Sequence, residues 1–261
     1  MQAPSPPALA SSRRWLLHRL PFLSDRLRID GARGGSQAKA ALIAPDRSFL
    51  YVVVPKAANS TVKRVLWRLL GTEVADDEAM ETLHGGPGPF LGFPDMSSAE
   101  LHEVLKGRGV FRFTFVRNPY ERLVSAYQDK VRALGRHRPI DYAGALGLAR
   151  QPTFEAFVRK VAAQPDEASD WHWMSQHRCA LVDLVSYDFI GRVERFDEHI
   201  AQVLQRIGAP AGLYDPAASV NRLGLGDAPL FSDELAELAF KRYRRDFEIF
   251  GYSPDSYRGA T

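Results

Sequence analysis

Two strand-to-helix junctions in this sequence carry the residue types that bind phosphate groups. The first follows the apolar run 49–54 and places Lys56 directly before a segment of helical periodicity. The start of a helix offers unpaired backbone N–H groups and a positive dipole end, and a neighbouring lysine adds a mobile full charge. This junction therefore predicts a phosphate-binding loop that consists of Pro55, Lys56, Ala57, Ala58, Asn59, Ser60 and Thr61.

The second junction places an arginine at the end of the apolar run 110–116. The guanidinium group of Arg117 is a rigid fork that can bind a phosphate through two parallel hydrogen bonds. Pro119 suits the first turn of a helix, on which Arg122 and Ser125 lie one turn apart and near one face. The two junctions together predict a clamp for a nucleotide that carries two phosphate groups.

Both junctions closely resemble the donor-binding elements of the carbohydrate sulfotransferases, particularly the branch that includes the chondroitin 4-O and HNK-1 enzymes. In that family a PK-x-x-x-(S/T) loop holds the 5′-phosphosulfate of PAPS (3′-phosphoadenosine 5′-phosphosulfate), and the matching residues here are Pro55, Lys56, Ser60 and Thr61. A second element, VR-x-P-x-x-R-x-x-S-x-(Y/F), holds the 3′-phosphate, and its matches are Val116, Arg117, Pro119, Arg122, Ser125 and Tyr127. The resemblance implies a PAPS-dependent sulfotransferase that releases PAP (adenosine 3′,5′-bisphosphate).

Some members of these motifs have a second interpretation. Arg122 is either a contact to the nucleotide or a helix residue that forms a salt bridge, and Tyr127 is more typical of core packing. Further along the chain, Asn221 and Arg222 in SVNRLG resemble a late loop of the family that approaches the nucleotide. We expect both residues to belong to the cofactor-binding set.

The resemblance implies in-line transfer of the sulfuryl group from PAPS to a hydroxyl or an amine of an acceptor. Lys56 is the residue we expect to neutralise the charge that builds on the leaving phosphate. This transfer needs no metal ion, and the sequence lacks the G-x-x-x-x-G-K-(S/T) loop of ATP-dependent enzymes. The alternatives are a P-loop kinase-like phosphotransferase that uses Mg-ATP and a non-catalytic nucleotide-binding protein.

The general base has two histidine candidates, because histidine titrates near neutral pH. His84 lies between the two junctions in a glycine-flanked loop, and neighbouring sulfotransferase branches use a histidine or a glutamate in that interval. His172 is its rival, and its neighbours Trp171 and Trp173 offer rings that could stack on a sugar or on adenine. We expect His84 to be the base, with His172 in acceptor binding or catalysis.

Alternating strand and helix patterns surround the two junctions. Apolar runs predict strands over 49–54, 110–116 and 184–190, and helical periodicity predicts helices over 60–70, 98–106, 119–134, 153–163, 196–207 and 232–247. Such alternation predicts an α/β fold with a central parallel sheet flanked by helices on both faces, like that of the P-loop NTPases. Ligands then bind at the carboxyl ends of the strands, where both junctions fall.

Length and composition are typical of one α/β domain. The chain has 261 residues, 45% of them apolar, and we expect a disordered tail over 1–12 followed by a single domain over 13–261. The formal charge of +3 is modest and requires no nucleic acid partner. The single cysteine, Cys179, excludes an intramolecular disulfide and favours a cytoplasmic protein.

The membrane and acceptor predictions depend mostly on the resemblance. Animal relatives are typically Golgi proteins with an N-terminal membrane anchor, whereas this chain has no run of about 20 apolar residues and resembles a bacterial, cytoplasmic version. The basic and apolar segment 13–23 is either a peripheral membrane helix or an ordinary packed helix that Pro21 cuts short. The resemblance points to a glycan or glycolipid acceptor, and a small metabolite is the alternative.

Overall fold

The computed structural model describes residues 21–32, 41–73, 87–132, 140–216 and 231–258. Its helices are α1 Pro21–Ala32, α2 Asn59–Leu69, α3 Ser98–Lys106, α4 Pro119–Ala126, α5 Tyr142–Ala145, α6 Phe154–Ala163, α7 Gln176–Cys179, α8 Phe196–Arg206 and α9 Asp233–Phe250. A π-helix, Tyr127–Val131, directly continues α4. The strands are β1 Ala41–Ile43, β2 Phe49–Val52, β3 Phe111–Val116 and β4 Phe189–Arg192.

The strands form one sheet in the order β1-β2-β3-β4. β1 is antiparallel to β2, whereas β2, β3 and β4 are parallel to one another. Val52 is paired with Thr114, and Thr114 is paired with Ile190, so the three parallel strands end at the same edge of the sheet. Both predicted junctions begin at this edge.

Helices cover both faces of the sheet, as the alternation of side chains along β2 shows. Phe49 and Tyr51 pack in a cluster with residues of α2 and α8. Leu50 and Val52 point the other way and pack with residues of α3 and of the segment 181–185. The prediction of an α/β fold with a mostly parallel, helix-flanked sheet is confirmed.

A second core lies beside the sheet and supports the helix of the second junction. It brings together α4, α6 and α9, with Tyr120, Phe157 and Phe247 almost fully buried. Tyr120 also donates a hydrogen bond of 2.8 Å from its hydroxyl to the carbonyl of Pro254. Aromatic packing against α6 and α9 therefore fixes the position of α4, the helix of the second junction.

Two predicted elements need correction, and one strand was not predicted. β4 begins at Phe189, because Leu184 and Val185 belong to a buried turn that covers one face of the sheet. The helix predicted over 119–134 stops being α-helical after Ala126 and continues as the π-helix. β1, with only Ala41–Ile43, was too short to give a periodic signal and was not predicted.

The described part of the N-terminal region packs on the domain as α1. Asp25 is buried there and accepts hydrogen bonds from Lys106 and His102 of α3 at 2.7 and 2.8 Å. Pro21 begins this helix, where a proline is well tolerated. The predicted tail 1–12 and residues 13–20 of the possible membrane segment lie outside the described residues. Over the part of the chain that is described, no helix is long and apolar enough to cross a bilayer.

Candidate functional site

The first junction is a tight loop between β2 and α2. Lys56 and Ala58 have φ angles of 65° and 56°, in the left-handed region that non-glycine residues seldom adopt. Ala58 is the N-cap of α2 and supplies no side-chain cap. Backbone conformations of this kind cost about 1–3 kcal/mol each and cluster at ligand sites. The strained turn at this helix start is compatible with a ligand-binding loop, and phosphate binding by its residues stays a prediction.

Packing of α2 aims this loop at the edge of the sheet. Val62, Val65 and Leu66 are buried in the cluster beneath the sheet, so the helix lies against one face. The polar residues of its first turn remain partly accessible: Asn59, Ser60 and Thr61 are all half-buried. The Ser60 hydroxyl lies 3.3 Å from Oδ1 of Asn59.

Lys56 belongs to a small charged cluster with the π-helix. Its Nζ lies 2.9 Å from Oδ2 of Asp129, and the same oxygen lies 3.1 Å from Nζ of Lys130. Burial lowers the pKa of the Lys56 ammonium, Asp129 opposes that change, and Lys130 and Arg117 lower the pKa further. Such π-helical turns are frequent at functional sites.

The second junction is fixed by side-chain hydrogen bonds to its backbone. Gln176 accepts a bond of 2.9 Å from the N–H of Arg117 and donates one of 2.7 Å to its carbonyl. Asn118 caps α4 by accepting a bond from the N–H of Tyr120, and its own N–H donates to Glu194. The Arg117 guanidinium lies 3.0 Å from Glu121, one turn further along α4. Arg117 and Lys56 thus stand at the same edge, each beside a carboxylate.

Arg122 connects the two junctions. It is 3% exposed, and its guanidinium donates to the carbonyls of Pro55, Met174 and Trp171 at 2.8, 2.7 and 3.2 Å. These three bonds are neither the salt bridge nor the nucleotide contact that the sequence suggested. They give Arg122 an architectural role, and a nucleotide contact by this residue stays a prediction.

The remaining motif residues on and after α4 are buried. Ser125 is 5% exposed. Tyr127 packs with Phe154 and Phe157 and donates a hydrogen bond of 2.7 Å to the carbonyl of Pro152, which confirms its core interpretation. Contact of Ser125 with a nucleotide stays a prediction.

His172 lies in the same region as Lys56. Its Nδ1 lies 2.6 Å from Oδ1 of Asp170. Burial lowers the pKa of His172, Asp170 raises it, and the charges of Lys130 and Lys56 lower it further. The candidate base therefore lies within the electrostatic influence of the candidate lysine.

The two tryptophans that flank His172 have different surroundings. Trp173 is 2% exposed and packs against Phe157 and Tyr142, so the expectation that it could stack on a ligand is wrong. Trp171 is half-buried and stays a candidate. His84, Asn221 and Arg222 lie outside the described residues.

Sequence reasoning missed the carboxylates of the site. Asp129 lies two positions after the motif that ends at Tyr127, and Asp170 lies two positions before the candidate base His172. Both carboxylates are therefore near residues that the sequence did single out. Glu121 stands inside the motif, four residues after Arg117, a spacing typical of helical ion pairs. No pattern in the sequence could show that Asp129 would meet Lys56, 73 residues earlier.

Comparisons with known proteins show which family the chain resembles. A family profile described as "Sulfotransferase family" matches residues 39–253. Carbohydrate sulfotransferase 14 of Danio rerio is 29% identical over 229 residues, and that of Homo sapiens is 31% identical over 230 residues. Each alignment covers 81% of this chain, but 61% and 59% of the two relatives.

A third relative is more fully covered. Carbohydrate sulfotransferase 11 of Mus musculus is 27% identical over 248 residues, which are 84% of this chain and 68% of the relative. No solved structure gives a significant match. The matched region includes both junctions and extends well beyond them in either direction.

Proposed function

The chain belongs to the sulfotransferase family, and from this we propose that it transfers the sulfuryl group of PAPS to a hydroxyl of a carbohydrate acceptor. The observation that carries the proposal is the convergence of Lys56 and Arg117 at the carboxyl edge of the parallel strands. Two separate cations at this edge suit a nucleotide with separate 5′ and 3′ charges.

In the proposed reaction the acceptor oxygen attacks sulfur, and the bond from sulfur to the bridging oxygen of PAPS breaks. PAP leaves with the electron pair, and the acceptor proton passes to a base. Lys56 stabilises the charge that develops on the leaving phosphate. Loop amides, Ser60 and Thr61 hold the 5′ end, and Arg117 with Ser125 holds the 3′-phosphate.

Three further features of the site belong to the proposal. Asn221 and Arg222 contribute to nucleotide binding, and His84 or His172 serves as the base. The sheet is a variant of the P-loop NTPase fold, which is supported by a parallel strand that leads into the Lys56 loop and α2. No metal ion takes part.

The acceptor is proposed from the names of the relatives, which are carbohydrate sulfotransferases. A glycan or a glycolipid is therefore the first class to test, and an amine or a small metabolite is the second. The half-buried ring of Trp171 beside His172 is compatible with a sugar. A cytoplasmic location, a bacterial origin and a single domain over 13–261 stay predictions.

A thermal-shift screen distinguishes the proposed donor from the Mg-ATP of the kinase-like alternative. PAP should raise the melting temperature in the presence of EDTA, because binding to the folded state stabilises it by mass action. ATP without and with magnesium are the matched controls. Stabilisation by Mg-ATP and none by PAP would refute the proposal and favour a kinase-like enzyme.

A further inference from the structure

Asp170 and His172 form a rigid pair within one turn of the chain. One oxygen of Asp170 accepts hydrogen bonds from both the backbone N–H and Nδ1 of His172, at 2.9 and 2.6 Å. The carbonyl of Asp170 accepts further bonds from the N–H groups of Trp173 and Met174, at 3.1 and 2.8 Å. The turn therefore fixes both the position and the direction of the imidazole ring.

Arg122 fastens this turn to the loop that carries Lys56. Its guanidinium group donates hydrogen bonds to the carbonyl of Pro55 in the Lys56 loop and to the carbonyls of Trp171 and Met174 in the turn. Because Pro55 directly precedes Lys56, the imidazole and the ammonium are tied to one buried side chain. The turn that carries His172 is thus linked to the Lys56 loop by buried hydrogen bonds of the fold itself.

The groups that face His172 define its proton-accepting nitrogen. The ring of Tyr142 meets it edge to face at 5.7 Å between centroids, and Nζ of Lys130 lies 5.9 Å from the centroid of that same tyrosine ring. Asp170 occupies Nδ1, so a neutral imidazole carries its proton there and keeps a lone pair on Nε2. Burial and the charges of Lys130 and Lys56 hold the pKa of His172 below its ordinary 6.5, against the opposing effect of Asp170. The ring is therefore mostly neutral near pH 7, and its Nε2 is available to accept a proton.

We propose that Asp170 and His172 are the proton-accepting pair of the transfer reaction. Nε2 of His172 takes the proton of the acceptor hydroxyl while its oxygen bonds to sulfur and PAP departs. Asp170 is a positioning residue, since it holds the tautomer and the ring direction and does not itself receive the proton. This inference rests on the proposed function, and it assigns the base to His172 in place of His84.

Matched substitutions test the pair. His172→Gln and Asp170→Asn remove its two members, and His84→Gln removes the other candidate base. The control is His102→Gln. His102 also forms a hydrogen bond to a buried aspartate, Asp25, at 2.8 Å, but it lies on α3 and has no assigned part in the site. Melting temperatures of all four variants check that each is folded.

Two measurements separate binding from proton transfer. Calorimetry with PAP should give affinities within about threefold of the unaltered protein for every variant, because no pair member is assigned to the nucleotide. Radiolabelled PAPS then reports sulfate transfer to a panel of desulfated polysaccharides and glycolipids, and sulfate release to water when no sugar is added. His172→Gln should reduce these rates by about 10²- to 10⁴-fold, the usual contribution of a positioned base.

The pH profile adds a readout that a structural role would not change. The rate of the unaltered protein should rise with pH through a pKa below 6.5 and then level off, because only the neutral imidazole accepts a proton. Asp170→Asn removes the interaction that raises this pKa, so its rising limb should move to lower pH while the plateau falls. In His172→Gln the rising limb should be absent.

The outcomes distinguish this inference from the proposed function. An unaltered protein that binds no PAP refutes the function itself. If the unaltered protein binds PAP and His172→Gln retains full turnover, or His84→Gln alone loses it, the pair is overturned and the function stands. A PAP-binding protein that releases no sulfate above the buffer rate, with sugar or with water, overturns both the pair and the transfer activity, and it favours the non-catalytic nucleotide-binding alternative.

Discussion

Replacement of Asp129 by asparagine should strengthen the binding of PAP. In the structure the Lys56 ammonium lies 2.9 Å from Asp129, which is only 20% exposed. A phosphate that binds Lys56 from the open side must share this ammonium with the carboxylate. Asp129→Asn keeps the size of the side chain and removes the repulsion between the two anions.

The size of the effect follows from the geometry. Two anions on opposite sides of one ammonium lie about 6 Å apart, given charge-assisted contacts of about 2.9 Å each. With an effective dielectric constant of about 40, between the values for a protein surface and for water, their repulsion is about 1.4 kcal/mol per pair of unit charges. This value corresponds to a gain of about tenfold in affinity.

The pKa of Lys56 adds a second signature to the same variant. Asp129 raises this pKa against the effect of burial, so its removal lowers the pKa further. The charged ammonium then exists only up to a lower pH, and the alkaline decline of PAP affinity should begin earlier in Asp129→Asn. The gain in affinity is therefore expected near neutral pH and should diminish as the pH rises.

Calorimetric titration with PAP at several pH values is the assay. Asp183→Asn is the control, because this exposed aspartate pairs with Arg245 at 2.7 Å and has no part in the site. It should leave the affinity unchanged. Equal or weaker binding of PAP by Asp129→Asn near neutral pH would refute the view that a phosphate and Asp129 share the Lys56 ammonium.

Three other substitutions test the remaining parts of the site. Lys56→Ala should lower transfer by about 10²- to 10³-fold, as loss of one preorganised donor does, while part of the PAP affinity remains; unaltered turnover would remove Lys56 from the mechanism. Arg117→Ala should weaken PAP far more than adenosine 5′-phosphosulfate, which lacks the 3′-phosphate, and equal losses in calorimetry would contradict its assignment. Arg122→Lys replaces the rigid guanidinium fork by one ammonium that cannot reach all three carbonyls in the same geometry, so denaturant unfolding should show a loss of about 1–3 kcal/mol, and unchanged stability would contradict its architectural role.

Local patterns account for the elements that the sequence predicted well. α3 begins with a capping box, a pattern that is visible in the sequence. The side chain of Ser97 accepts a hydrogen bond from the backbone N–H of Glu100, and the side chain of Glu100 accepts one from the backbone N–H of Ser97. β2 and β3 are apolar runs of the kind that a buried parallel strand requires. β4 could not be bounded in the same way, because the apolar residues before it cover the sheet from a turn instead of continuing a strand.

Some residues of the candidate site could likewise be predicted from the sequence, and others could not. Lys56 and Arg117 could be predicted because strand ends of a parallel sheet meet at one edge, a consequence of topology alone. The partners Asp129, Glu121 and Asp170 could not, because their positions depend on how the π-helix, α4 and the turn before α7 pack. Arg122 illustrates the difference: its motif position was predicted, and its three carbonyl partners emerged only from the tertiary structure.

The most direct measurement is transfer of label from radiolabelled PAPS to carbohydrate, with EDTA present and the products separated by mass. The proposed function predicts a sulfated carbohydrate and PAP in equal amounts, with both products reduced by about 10²- to 10³-fold in Lys56→Ala. A protein that leaves PAPS intact with every acceptor, while it binds or consumes Mg-ATP, would contradict the assignment of this site to sulfuryl transfer.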